Sequence, residues 1–185
     1  MMPTPVIVLD PGHGGPDPGA VAHGLREADL VLTLAQSCAR HVGGLRARVR
    51  LTRTTDADVS LAARVAAANP RADLFLSLHC NAARAPEARG FESYVHPGAG
   101  PCTRALRRLI HTACSAYLAG HGVPDRGMKQ ADFYVLRKTV CPAVLLECLF
   151  VTNPDDAGLL GDPEWRAALG REIARAVALA VGLAD

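Results

Sequence analysis

Ionisable side chains follow three of the predicted strands, each at the point where the strand ends. His13 comes after the segment VIVLDPG and stands between glycines, and His79 ends the apolar segment LFLSLH. Glu147 closes the apolar segment AVLLE. Sites in open α/β sheets form outside the carboxyl ends of the strands. We therefore expect these three side chains to lie at the same edge of a sheet.

A fourth candidate, Glu27, opens the first predicted helix, 27–42. Apolar residues such as Leu30 and Leu34 recur there at helical spacing. This spacing places Glu27 on the face turned toward the sheet and Asp29 on the outer face. A carboxylate in the first turn is also favoured by the helix dipole.

Two histidines and one carboxylate form a ligand set typical of catalytic zinc, and a second carboxylate nearby can take a proton from water. The glycines around His13 let the backbone turn sharply and let a ligand approach closely. Each residue alone has a simpler interpretation, because a loop histidine is usually structural or solvated. Glu147 is harder to dismiss, since it would bury a charge at the end of an apolar segment unless something compensates it. The conjunction of all four favours a site.

The order of apolar, alternating and helically periodic segments predicts the fold. Strands that alternate with helices indicate one α/β domain over residues 1–185, a mostly parallel twisted sheet of about six strands with helices on both faces. The predicted strands span 6–10, 47–52, 74–79, 90–96, 133–137 and 143–147. The predicted helices span 27–42, 60–69, 101–119 and 163–182.

Composition narrows the class of protein. The chain has 20 basic and 18 acidic residues, a balance that does not favour nucleic acid as a partner. No apolar segment reaches the roughly 20 residues that span a bilayer, and no signal peptide precedes the first predicted strand. We therefore expect either a trimmed exported protein or one made in the cytoplasm and released by lysis.

The six scattered cysteines are predicted to be buried free thiols.

Seven ordered segments between Val6 and roughly Ala180 resemble the zinc-dependent N-acetylmuramoyl-L-alanine amidases of the Amidase_3 family. The resemblance implies one zinc ion bound by His13, Glu27 and His79, with Glu147 as the catalytic carboxylate. It also implies peptidoglycan as substrate, cut at the amide between N-acetylmuramic acid and L-alanine. The segments are IVLDPGHGGPDPGA, GLREADL, LTRTTDADVSLAARVAAAN, ADLFLSLHCNAA, GFESYV, RGMKQADFYVLR and CPAVLLECLFVTNPDDAGLL.

Further expectations follow from this resemblance. Arg126 and Lys129 are candidates to contact carboxylates of the stem peptide, with ordinary surface charge as the alternative, and Asn81 is a third candidate substrate contact. The connection 96–102 holds two prolines and two glycines and is too short for a helix that covers the metal. We expect a monomeric enzyme that acts at the cell wall without an activating partner.

Alternative functions stay open at this point. Another zinc peptidase or a deacetylase that acts on cell-wall peptides would use the same ligand set. A wall-binding module without catalysis would need neither the ligands nor Glu147. The sequence leaves open whether the chain comes from a phage lysin, an autolysin or a sporulation enzyme.

Overall fold

The computed structural model describes residues 4–183 and contains a central sheet of six strands. A separate two-stranded sheet precedes the first helix. The six strands are β1 (Val6–Pro11), β4 (Arg48–Leu51), β5 (Leu74–Asn81), β6 (Phe91–Val95), β7 (Asp125–Gln130) and β8 (Ala143–Phe150), and the small sheet pairs β2 (Val21–Ala22) with β3 (Leu25–Arg26).

The strands of the central sheet lie in the order β4-β1-β5-β8-β6-β7. The first four are parallel to one another. β6 runs antiparallel to β8, and β7 runs parallel to β6. The predicted mostly parallel α/β sheet is confirmed, with a reversed pair of strands at one edge.

Helices cover the two faces of this sheet unequally. One face carries the larger apolar core, to which the three longest helices contribute residues such as Leu34, Ile110 and Ile173. The other face carries a small cluster around Val8 and Phe75, covered only by short helices. The helices are α1 (Glu27–Gly43), α2 (Leu61–Ala68), α3 (Pro101–Ala119), α4 (Tyr134–Lys138), α5 (Pro154–Gly161) and α6 (Pro163–Ala180).

The strand predicted at 133–137 is wrong, because these residues form the short helix α4. Aromatic and β-branched residues favour a strand there. Instead, Val135 and Leu136 are both buried against the small apolar cluster, which a helical turn allows and an alternating strand does not. The sixth strand is β7, whose polar sequence DRGMKQ gave no apolar alternation.

Helix α5 was not predicted, although its start carries a recognisable signal. The Asn153 side chain accepts hydrogen bonds from the amides of Asp155 and Asp156, and Pro154 occupies the first turn. The same arrangement begins α6, where the Asp162 side chain caps the helix and Pro163 occupies the first turn.

Two further predictions concern cysteines and membranes. Four cysteines are buried, Cys141 is half-buried, and Cys102 is exposed at the start of α3, so the expectation of burial is wrong for Cys102. All six are free thiols. Within residues 4–183, no helix is both long and apolar enough to cross a membrane.

Candidate metal centre

Two buried arginines hold the loop that carries His13. Arg53 donates from Nε to the carbonyl of Pro11 at 3.0 Å and from Nη2 to that of Gly12 at 2.7 Å. Arg64 donates from Nη2 to the carbonyl of His13, also at 2.7 Å. His13 has a φ of 57°, a left-handed conformation that is uncommon outside glycine. These anchors hold the His13 backbone in a conformation that a free loop would seldom occupy.

Glu27 is the first residue of α1, and its side chain is buried. Its Oε2 accepts a hydrogen bond from the Ala20 amide, and its Oε1 accepts one from the Cys80 amide, both at 2.9 Å. Asp29 is exposed and pairs with Arg26. The predicted inward direction of Glu27 and outward direction of Asp29 are confirmed.

His13, Glu27 and His79 meet at one place. Nε2 of His13 lies 3.1 Å from Oε1 of Glu27, and Nδ1 of His79 lies 3.0 Å from the same oxygen. Each residue offers one ligand atom, and the three atoms lie within 4.8 Å of one another. The loop after β1, the first turn of α1 and the end of β5 thus bring together three potential metal ligands.

Two glycines leave the space that these side chains occupy. A Cβ at Gly12 would lie 2.2 Å from Cε1 of His79. A Cβ at Gly19 would lie 2.6 Å from Oε2 of Glu27 and 2.7 Å from Cδ2 of His13. Any other residue at either position would displace one of the ligand side chains.

Asp17 orients His13 and was not among the residues predicted from the sequence. Its Oδ2 lies 2.8 Å from Nδ1 of His13, and its Oδ1 accepts a hydrogen bond from the Gly19 amide at 3.0 Å. A carboxylate on Nδ1 favours the tautomer that leaves Nε2 available to a metal. The only signal was an aspartate four residues after the histidine in one glycine-rich loop, and loop spacing does not fix geometry.

The charges of the three central residues support one another. The hydrogen bond with Glu27 raises the pKa of His13 to about 9, against the opposing effect of partial burial. Burial acts to raise the pKa of Glu27, but the hydrogen bonds from His13 and His79 outweigh it and hold that pKa well below its usual range. An ionised carboxylate in a buried position is suited to bind a cation.

Glu147 lies beside His79, in register with it across β8 and β5. Its Oε2 is buried and has no hydrogen-bond partner among residues 4–183. Burial raises the pKa of Glu147 to about 7. A carboxyl group with this pKa and a free acceptor atom is suited to take up and return a proton near neutral pH.

The neighbouring strand carries a second buried carboxylate, Glu92, in register with Glu147 across β6 and β8. Burial acts to raise the pKa of Glu92, but the surrounding donors lower it below its usual value. Glu92 therefore keeps its negative charge more firmly than a free carboxyl group does, whereas Glu147 takes up a proton more readily. All three residues predicted to contact substrate are among these donors. The donors are Asn81 Nδ2 and Tyr94 Oη to Oε1, at 2.8 and 2.6 Å, and Arg126 Nε and Lys129 Nζ to Oε2, at 2.8 and 2.5 Å.

A cleft of about 460 Å³ opens beside these residues. It is lined by His13, His79 and Glu147, by Leu61 of α2 and by Phe133 before α4. The cleft exists because the two short helices leave part of this face of the sheet uncovered. It gives a substrate access to the candidate metal ligands.

Comparison with known proteins shows the family. Residues 7–179 match the family model described as N-acetylmuramoyl-L-alanine amidase. The chain belongs to the Amidase_3 family. The family is metal-dependent, which agrees with the convergence of His13, Glu27 and His79.

Curated Amidase_3 relatives are longer than this chain. The chain is 41% identical over 159 residues to the endolysin of Bacillus phage SPP1, an alignment that covers 84% of this chain and 58% of the endolysin. It is 39% identical over 168 residues to the sporulation-specific N-acetylmuramoyl-L-alanine amidase of Bacillus subtilis (strain 168), covering 89% of this chain and 64% of that protein. The chain therefore spans less than two thirds of either relative.

Solved Amidase_3 structures match nearly the whole chain. The catalytic domain of CwlV, an N-acetylmuramoyl-L-alanine amidase from Bacillus (Paenibacillus) polymyxa var. colistinus, superposes with a TM-score of 0.90 at 28% identity, covering 98% of this chain and all (100%) of that one. The amidase AmiC2 of Nostoc punctiforme gives a TM-score of 0.90 at 30% identity, covering 96% of this chain and 97% of that one. These matches confirm the predicted fold class.

Proposed function

We propose that this chain hydrolyses the amide bond between N-acetylmuramic acid and L-alanine in peptidoglycan. One observation carries the proposal: His13, Glu27 and His79 converge in an open cleft beside Glu147, whose Oε2 has no hydrogen-bond partner within residues 4–183. Membership of the Amidase_3 family supplies the class of bond.

The donor set fits one zinc ion per chain. Two imidazole nitrogens and one carboxylate oxygen are a common ligand set of catalytic zinc, which keeps a further position open. The contact between Asp17 and Nδ1 of His13 is the kind of outer partner that metal-bound histidines have. The buried free Oε2 of Glu147 agrees with a site that handles water. A bound zinc ion would polarise the scissile carbonyl and acidify water.

The residues of the chain have separate roles in this proposal. Glu147 accepts the proton of the attacking water at its carboxylate and returns it to the leaving nitrogen of L-alanine. A pKa of about 7 allows the same carboxyl group to perform both steps near neutral pH. Asp17 holds the His13 ring in the required tautomer, and Arg53 and Arg64 hold the His13 backbone.

The proposed place of action is the cell wall, with peptidoglycan as partner and the enzyme as a monomer. The other candidates, a zinc peptidase, a deacetylase and a wall-binding module, lack a specific observation in their favour. The family match favours the amidase over a peptidase or deacetylase, and the position of Glu147 favours an enzyme over a wall-binding module.

Mass spectrometry of peptidoglycan digested with the zinc-loaded protein tests the proposal. We expect peptides with a free amino-terminal L-alanine, loss of this product with a chelator, and recovery when zinc is returned. A new amino terminus elsewhere would indicate a peptidase, and released acetate would indicate a deacetylase. Binding without any cleavage would indicate a wall-binding module. Each of these three results contradicts the proposal.

A further inference from the structure

We infer that Arg126 and Lys129, held on Glu92, form a subsite for a carboxylate of the stem peptide. The inference rests on the proposed function and adds the direction in which the substrate lies. The peptide extends from Glu147 toward β6 and β7.

The cluster of Glu92, Arg126 and Lys129 has a net positive charge. Glu92 contributes one negative charge, and Arg126 and Lys129 contribute two positive charges to the same oxygen. The two cationic side chains remain 34% and 37% exposed. Lys129 has two further N–H donors, and Nη2 of Arg126 has no partner within residues 4–183. A net positive charge with free donors therefore faces solvent beside Glu147.

The cationic groups are fixed in place. The guanidinium of Arg126 lies 4.7 Å from the centre of the Phe150 ring. The preceding residue, Asp125, accepts hydrogen bonds from Nε2 of His111 at 3.0 Å and from the Gly127 amide at 2.7 Å, which holds the backbone on both sides of Arg126. Preorganised side chains lose less conformational entropy when they bind an anion.

The loops after β1 and β4, which lie on the other side of β8 from β6 and β7 in the strand order, carry negative charge. Asp17 and Asp58 lie along the cleft, and both are exposed carboxylates. Carboxylates repel an acidic peptide. Charge therefore directs the acidic part of the substrate toward Arg126 and Lys129.

The carboxylate nearest to the scissile amide along the stem peptide belongs to its second residue. Both cations contact Glu92, which lies opposite Glu147 on the neighbouring strand. L-alanine, the first residue of the stem, has its carboxyl group in a peptide bond. The next residue of a peptidoglycan stem is isoglutamate, whose α-carboxylate is free unless it is amidated. We assign that carboxylate to the subsite.

Two substrates that differ only in this carboxyl group provide the test. Glycan oligomers whose stems are L-alanyl-D-isoglutamate or L-alanyl-D-isoglutamine are bound to the zinc-loaded Glu147→Gln protein, and affinities are measured by calorimetry. We expect about tenfold tighter binding of the acid, as for a charge-assisted hydrogen bond at a partly exposed site. In the Glu147→Gln background, Lys129→Met should remove most of this preference, and Lys138→Met, which removes the same charge from an exposed position on α4, should keep it.

The outcomes separate this inference from the proposed function. Equal affinity for acid and amide, or a preference that survives Lys129→Met, overturns the subsite even if the parent protein cleaves peptidoglycan as proposed. A parent protein that releases no L-alanyl peptides from peptidoglycan overturns the proposed function and the inference together. Circular dichroism checks that Lys129→Met is folded, which we expect because Arg126 still neutralises Glu92.

Discussion

At the scale of single residues, the proposed reaction depends on the difference in protonation between Glu147 and the neighbouring carboxylates Glu27 and Glu92. Glu147→Gln keeps the shape of the side chain and removes its ability to accept a proton. We expect the variant to fold and to bind zinc normally while turnover falls by about 10²–10⁴-fold. Metal analysis and steady-state kinetics measure the two effects, with Glu164→Gln on the exposed start of α6 as control. Turnover within about threefold of the parent would remove Glu147 from the proposed role.

The pH dependence of turnover follows from the same residue. Burial raises the pKa of Glu147 to about 7, so the group is protonated below that pH and cannot accept a proton from water. A zinc ion beside Glu147 would lower this pKa, so turnover should increase as the pH rises, with a midpoint no higher than about 7. A pH series of kcat in the zinc-loaded protein measures this limb. If the residual activity of Glu147→Gln rises with pH over the same range, another group causes this pH dependence.

Asp17 should matter for metal affinity and not for folding. Asp17→Ala removes the carboxylate from Nδ1 of His13, so the ring no longer favours the tautomer with a free Nε2. We expect zinc affinity to fall by about 10–100-fold with an unchanged melting temperature of the metal-free protein. Competition with a coloured chelator measures the affinity. Asp29→Ala, an exposed carboxylate on the outer face of α1, is the matched control, and an equal loss there would contradict the prediction.

The sequence predicted some of these residues and missed others for a physical reason. His13, His79 and Glu147 follow strands, and parallel strands end at one edge of a sheet, so their convergence could be expected. Glu27 could be placed from the helical period of α1. Asp17 and Glu92 could not, because their roles depend on a loop conformation and on a strand that runs in reverse.

At the scale of elements, the errors lie where tertiary packing overrides local pattern. The β7 segment DRGMKQ is largely polar and exposed and has no apolar alternation, and its place in the sheet comes from backbone pairing with β6. The segment 133–137 has strand-forming residues, yet it closes the small apolar cluster as a helix. Local pattern predicted the central strands β5 and β8 and the edge strand β4, but it did not predict β7 or α4.

Glu92 should link the stability of the reversed strands to pH. Its folded pKa is lowered below the ordinary value of 4.5, so its contribution is present above that value and is lost as the pH falls through the folded pKa. Glu92→Gln should lower the free energy of unfolding at pH 7 by about 1–3 kcal/mol, a modest figure because both cations are partly exposed.

Urea denaturation at pH 7 and at lower pH measures this effect. The difference between parent and Glu92→Gln should shrink as the pH falls below 4.5, because the parent carboxylate then becomes protonated. Glu172→Gln on α6, which removes an ion pair with Arg175, serves as control. A constant difference across this pH range would show that charge does not cause the loss.

At the scale of the whole molecule, access to the candidate metal residues is open. Only five residues, 96–100, connect β6 to α3, and the predicted lack of a covering helix in this connection is confirmed. We therefore expect the isolated, zinc-loaded protein to digest purified peptidoglycan without any added partner. Release of L-alanyl peptides by the purified protein alone measures this. A folded, zinc-loaded protein that becomes active only after another protein is added would contradict it.

The unequal covering of the sheet has a consequence for hydrogen exchange. Three long helices pack on one face, whereas α2 and α4, of eight and five residues, cover the other. Backbone amides of these two short helices should exchange with deuterated water long before those of α1 and α6, since few buried contacts hold them. The protein would then respond to a bound glycan by slowing exchange on this face alone, while the opposite face keeps the same protection throughout.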